Sequence, residues 1–262
     1  MRVITLTTDL GYQDFYQAAL KGSIISLLPT VRLVDITHEI PAFSMQHAAI
    51  VLKNAYHYFP KETVHVIGID TLVQENLRYA AMKFDDHFFV GADNGIFSIL
   101  LNGEKPEALV EIELLQDLKY MHFPLADVLT KAACHLADGK EIWELGETLE
   151  KPVEKQILQP VYTDSYIRGH VAYIDTFGNI ISNISKELFD KVQNGRPFTL
   201  FFKRNETLNK LHWHYSEVKE GEMLCLFGIS NSLEIAINKG NASKLLGLYQ
   251  DETIRIEFHD KD

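Results

Sequence analysis

The chain has 262 residues, 46% of them hydrophobic, which is enough apolar material to bury a full core in one or two domains. Its formal net charge of −11 argues against nucleic acid or an anionic membrane as the main partner, because both favour a basic surface. The two cysteines, Cys134 and Cys225, lie in apolar contexts far apart in sequence, which predicts buried free thiols and a reducing compartment.

The first 140 or so residues alternate strand and helix patterns. Strands are predicted at Val3–Thr7, Arg32–Ile36, Thr63–Ile69, Tyr79–Phe84 and Phe88–Val90. Between them Phe15–Leu28 and Met45–Tyr58 carry apolar residues at helical spacing, ending before Pro29 and Pro60. A further helix is predicted at Ala126–Ala137, ahead of Asp138-Gly139. This βαβ rhythm predicts an α/β N-terminal domain with a mostly parallel sheet, residues 1–150.

The stretch from Gly139 to Asp164 is weak in pattern and carries Pro152 and Pro160. A linker is placed at residues 151–165. Short strands then follow at Ile167–Ile174, Asn179–Asn183, Phe198–Phe202, Glu222–Phe227, Ser232–Ile237 and Thr253–Glu257. Their density predicts a smaller all-β, barrel-like C-terminal domain, residues 166–262. No basic-then-apolar signal segment opens the sequence and no apolar run approaches membrane length, so a cytoplasmic globular protein is expected. The sequence has no Walker A loop, no GxGxxG and no HExxH. His212-Trp213-His214 puts two imidazoles on one face of an expected strand. With no third ligand beside it, surface polar alternation is the simpler reading.

Two stretches carry chemistry: TTDLGYQDFYQAALKG and YIDTFGNIISNIS. Each sets acidic or amide side chains beside glycine straight after a β-forming run. Asp9, Gly11 and Asp14 follow Val3–Thr7, and Asp175, Gly178 and Asn179 follow Val171–Ile174. Carboxylates at the carboxyl ends of strands are where α/β proteins hold polar ligands. The plainer alternative is a turn satisfying its own backbone.

Together with LLPTVRLVDITHEIPAFSMQHAA, YFPKETVHV, VGADNGIFS and SLEIAINKGNASKLLGL, in this order, these stretches resemble the S-adenosylmethionine (SAM) hydrolases, or SAM hydroxide adenosyltransferases. That family is related to the fluorinating and chlorinating enzymes. The resemblance runs nearly end to end. It implies an α/β domain followed by a β-barrel domain, SAM or adenosine as the small-molecule ligand, and no cofactor beyond SAM as substrate. It also implies a homotrimer with each site between subunits.

The resemblance gives roles to particular residues. Asp9 matches the ribose-binding aspartate, and one carboxylate accepting two hydrogen bonds suits a diol. Asp14 and Asp175 match ligands of the methionine amine, where charge-assisted bonds are worth about 1.5–3 kcal/mol each. Asn179 offers a donor and an acceptor to the adenine edge. Phe43 matches an aromatic position beside ribose and adenine, with an ordinary core phenylalanine as the alternative. Ser230 and Asn231 fall where the family contacts the methionine carboxylate, in a loop one residue shorter. Asp35 and His38 read as strand-end braces, and Asp93-Asn94-Gly95 as a tight turn supplying positive φ.

In the family, water attacks the ribose 5′ carbon, and an aspartate, an arginine and a histidine orient and deprotonate it. Here Asp70 opens Asp70-Thr71-Leu72-Val73-Gln74 where the family has Asp-Pro-Gly-Val-Gly. Leu77 and Arg78 stand where two arginines are common. Pro124 takes the histidine position, with His122 two residues upstream. Arginine stays protonated, whereas histidine can take a proton near neutral pH. Three readings follow, in this order: a SAM hydrolase using Asp70, Arg78 and His122; a non-catalytic SAM- or adenosine-binding protein; and adenosyl transfer to a halide. The last is opposed by the negative charge of Asp70.

Overall fold

The structure is a computed structural model in which residues 2–72, 77–156, 158–203 and 206–260 are described. The chain divides into two compact units, Met1–Ile157 and Leu158–Asp262. The first contains β1 (Val3–Thr8), α1 (Tyr16–Leu27), β2 (Arg32–Thr37), α2 (Met45–Ala55), β3 (Val64–Gly68), β4 (Tyr79–Phe84), β5 (His87–Ala92), α3 (Ile96–Leu101), β6 (Ala108–Glu111) and α4 (Val128–Ala137).

Its sheet has the order β2-β1-β3-β5-β4-β6. β1 pairs in parallel with β2 and β3, and β3 with β5, while β4 runs antiparallel to both its neighbours. The expected α/β domain is present. β1 is rich in β-branched residues and buried along its whole length, as a central strand covered on both faces must be. Leu20 and Ile24 of α1 pack with α4 on one face, against Leu6 and Val66. Ala48 and Leu52 of α2 pack with α3 on the other, against Ile67 and Phe89. The chain therefore passes from β1 to β2 over one face and returns to β3 over the other. This makes the gap between β1 and β3 a topological switch point.

Some boundaries differ from the sequence reading. The helix expected to reach Tyr58 ends at Ala55, and Tyr56–Tyr58 form a 3-10 turn. α4 starts at Val128 because Pro124–Ala126 make a separate 3-10 turn. In Asp93-Asn94-Gly95 only Gly95 has positive φ, +106°, where it caps the unforeseen helix α3. Within the expected linker, the Val153 N–H donates to Asp93 (2.9 Å) and the Lys155 N–H to Ser98 (3.0 Å), fastening these residues to the first unit.

The second unit contains β7 (Val161–Tyr162), β8 (Tyr166–Ile174), β9 (Ile180–Ser185), α5 (Lys186–Gln193), β10 (Phe198–Lys203), β11 (Glu206–Leu208), β12 (Met223–Phe227), β13 (Ser232–Ile237), α6 (Ala242–Leu246) and β14 (Thr253–Phe258). Its antiparallel sheet runs β11-β10-β14-β8-β9-β13-β12, with β7 beside β8. Leu211, just past β11, bridges Cys225 on β12, so the two ends of the sheet meet and nearly close a barrel. Its interior holds Val171, Phe189, Leu200, Ile235 and Ile256. Residues 212–214 are not a strand: His214 caps the 3-10 turn Tyr215–Glu217 and Trp213 is exposed. Among the described residues no group of three His, Cys, Asp or Glu side chains could hold a metal, and no helix is long and apolar enough to cross a membrane. Cys134 on α4 and Cys225 on β12 are free and buried, and burial pushes their thiols up to about 11 and about 12.

Thr5 Oγ1 on β1, His65 on β3 and His87 on β5 form a buried polar chain, with contacts of 2.7 and 3.1 Å. Burial, aided by the neighbouring His87, lowers the His65 pKa from 6.5 to about 3. Folding therefore holds this imidazole neutral, and the stability it contributes is complete above pH 6.5 and lost as pH falls toward 3. Between pH 7 and 5 stability should fall by about 2 kcal/mol from this group alone. Burial also lowers the pKa of His38, His47, His87 and His170, which adds to the loss with the same sign. Urea unfolding at pH 7, 6 and 5 measures it; an unchanged free energy across that range would contradict the assignment.

Candidate active site

β1 ends at Thr8 and β3 at Gly68, side by side at the switch point, and the loops beyond them form a cavity of about 410 Å³. Asp9, Phe43, Asp70 and His122 all line it, together with Tyr16, Gly68 and Phe123 among others. Four of the residues singled out from sequence are thus brought to one place.

Each is positioned by identifiable contacts. The Asp9 carboxylate accepts the Phe43 N–H at 2.9 Å, tying the first loop to the one after β2. Burial raises the Asp9 pKa; the Phe43 and own-backbone N–H groups oppose this, and the negative charge of Asp70 adds to it. Phe43 is not a core residue: it is 64% exposed, with φ of 63°. Asp70 also has positive φ, 47°. Left-handed backbone in such residues costs about 1–3 kcal/mol and persists only where the surroundings enforce it.

Those surroundings include two residues that the sequence did not mark as site-forming. The Asn94 amide donates to the carbonyls of Ile69 (3.0 Å) and Asp70 (3.4 Å), and the Tyr79 hydroxyl donates to the Thr71 carbonyl (2.9 Å). Val73 and Gln74, which complete the altered loop, lie outside the described residues. Gly68 is required by close approach. A Cβ there would come within 2.5 Å of buried Leu125 and 2.9 Å of the Thr8 methyl.

Of the expected strand-end braces, His38 follows β2 and meets the end of β1, whereas Asp35 lies within β2 rather than at its end. The Thr8 hydroxyl contacts buried His38 Nδ1 at 2.7 Å, His38 Nε2 lies 3.2 Å from Asp35, and Asp35 takes Lys21 at 2.6 Å. The 3.2 Å approach lacks hydrogen-bond alignment, since His38 Nε2 has no hydrogen-bond partner, so it is read as proximity.

Of the expected residues that belong to the first unit, two do not line the cavity. Asp14 is exposed in the loop before α1. Arg78 does not line the cavity; its guanidinium grips buried Asp93 through Nε (2.8 Å) and Nη2 (2.7 Å) and donates to the Lys151 carbonyl (3.2 Å). Arg78 therefore fastens the 151–153 segment, and this use of Asp93 corrects its reading as a simple turn residue.

In the second unit, Asp175 accepts the N–H groups of Phe177 (2.9 Å) and Asn179 (2.8 Å) and the Asn179 amide (3.0 Å). The turn alternative is thus realised, but a carboxylate has about four acceptor sites, so ligand capacity remains. Gly178 has φ of 85°, and a Cβ there would come within 2.2 Å of Asn241. Asn231 has φ of 54° in the turn after Gly228, and Ser230 Oγ accepts the Ser232 N–H at 3.4 Å.

Residues 4–146 match the SAM hydroxide adenosyltransferase N-terminal domain and residues 169–255 the corresponding C-terminal domain. The chain belongs to the SAM hydroxide adenosyltransferase family. Among family relatives, the (R)-S-adenosyl-L-methionine hydrolase of Methanocaldococcus jannaschii is 31% identical over 95% of this chain and 94% of its own length. That of Salinispora tropica is 28% identical over 97% of both chains. A solved structure of an uncharacterized conserved protein from Thermotoga maritima superposes with a TM-score of 0.86 at 27% identity, covering 97% of this chain and 99% of that one. The SAM hydroxide adenosyltransferase architecture thus spans essentially the whole molecule.

Proposed function

We propose that this protein hydrolyses S-adenosyl-L-methionine, in the (R) sulfonium configuration named for its relatives, to adenosine and L-methionine. The observation that carries the reading is the meeting of Asp9, Asp70, Phe43 and His122 in one switch-point cavity of a SAM hydroxide adenosyltransferase fold.

In this reading the ribose diol donates to Asp9, and Phe43 covers the nucleoside. A water oxygen bonds to the 5′ carbon as the carbon–sulfur bond breaks. The bonding pair stays on sulfur, so methionine leaves as a neutral thioether without protonation. The attacking water loses one proton, which Asp70 or His122 takes up and passes to solvent. The net reaction of SAM cation and water gives adenosine, methionine and that proton. Because chemistry needs only an oriented water in a dry cavity, positioning does most of the work.

Arg78 is left out of the chemistry, since its guanidinium is engaged elsewhere. Asp14 and Asp175 for the amine, Asn179 for adenine, and Ser230 with Asn231 for the carboxylate enter the proposal by their motif positions. A homotrimer belongs to the same proposal. The exposure of Tyr12 and Phe15 supports an apolar surface that a neighbouring subunit covers.

The test is incubation of purified protein with SAM, following adenosine and methionine by liquid chromatography. Production of both in equal amounts is expected. Tight SAM binding by calorimetry without either product would replace hydrolysis with a binding function.

A further inference from the structure

His122 is carried on a loop that buries little of its own apolar surface: Leu115 is 91% exposed, Leu118 79% and Met121 46%. Such a loop cannot be held by its own packing. Its C-terminal side is anchored by Phe123, whose ring meets Tyr16 edge-on at 5.5 Å, and by fully buried Leu125. The N-terminal side has a different anchor.

Asp127, at the start of α4, is a buried carboxylate whose side chain is only 4% exposed. One oxygen accepts the Asp117 N–H at 2.8 Å, and the other takes Lys131 Nζ at 2.5 Å. Lys131 Nζ donates a second bond to the Leu115 carbonyl at 3.1 Å. One turn of α4 thus grips the loop at residues 115 and 117 and closes residues 117–127 into a ring. Within that ring the Phe123 N–H donates to the Tyr120 carbonyl, and the Gln116 amide, just ahead of the ring, donates to the same oxygen, setting the path that leads into His122.

We propose that Asp127 and Lys131 form a positioning pair that holds the His122 loop in its catalytic place. This rests on the reading of His122 as a participant in hydrolysis. Neither residue touches the cavity; they act through the loop. The pair also accounts for where a histidine displaced from the family's usual position gains its support. The loop is tied to the rigid helix on one side of His122 and to the core on the other.

The experiment uses the full chain with Lys131→Met, Lys131→Arg, Asp127→Asn and His122→Asn. Lys131→Met leaves the buried Asp127 carboxylate without its counter-charge, whereas Lys131→Arg keeps the charge and Asp127→Asn removes the carboxylate's own. Thermal unfolding of each variant therefore checks that it is folded before its kinetics are read. Lys131→Met should lower kcat by about ten- to a hundredfold with KM for SAM nearly unchanged, as expected for a displaced catalytic group. It should also speed amide hydrogen exchange across 115–123, and Lys131→Arg should restore both. A wild-type kcat in Lys131→Met and Asp127→Asn, beside a slow His122→Asn, would overturn the pair's role while leaving His122 intact. A wild-type rate in His122→Asn would overturn the reading of His122 and the catalytic purpose given to the pair.

Discussion

Replacing Asp70 by asparagine is expected to lower kcat for SAM hydrolysis by about a hundredfold to ten-thousandfold, the range for loss of a positioned proton acceptor. The side-chain shape and the carbonyl held by Asn94 survive the change, so the loop keeps its course. What is lost is the negative charge that, in the proposed reaction, orients the attacking water and can take up its proton. Affinity for SAM should change little, because the group acts mainly in the transition state. Single-turnover rates with calorimetric affinities check both halves. Full turnover in Asp70→Asn would remove this residue from the chemistry and leave His122 as the proton acceptor.

The second large effect is expected at Asp9. Two charge-assisted hydrogen bonds from a ribose diol are worth about 1.5–3 kcal/mol each, so Asp9→Ala should weaken adenosine binding by about a hundredfold or more. Adenosine and its 2′-deoxy analogue separate this from general damage. Native protein should strongly prefer adenosine, and Asp9→Ala should bind the two alike. The pH dependence has a defined sign. Because burial raises the Asp9 pKa and the diol is held by the ionised form, affinity is complete above that pKa and declines as pH falls through it. Equal preference in native and variant proteins would show that another group holds the ribose.

The parts of this site that could be read in the sequence are those set by local pattern. Asp9 and Asp70 each follow a buried β-branched run, and strand ends are where such a fold exposes polar groups. The division into an α/β half and an all-β half was equally legible, since helical spacing gives way to dense short strands after Pro160. What escaped is non-local. Arg78 lies beside the Asp70 loop in sequence, yet its guanidinium closes on Asp93, fifteen residues away across the β4–β5 hairpin. The support of Asn94 and Tyr79 for the Asp70 loop depends on side chains from the turn after β5 and from β4 reaching backbone carbonyls of another segment, which periodicity does not encode. Phe43 was compatible with a core position in sequence, but its positive φ turns the ring outward and the N–H toward Asp9.

The placement of the cysteines gives the protein two built-in clocks. Cys134 belongs to the first unit and Cys225 to the second, and each thiol is buried with its pKa well above neutrality. An alkylating reagent therefore reaches either sulfur only when the surrounding structure opens. Peptide-resolved labelling would time the opening of the two units separately in one sample, without any residue being changed. It would also reveal whether ligand quiets the first unit alone or both.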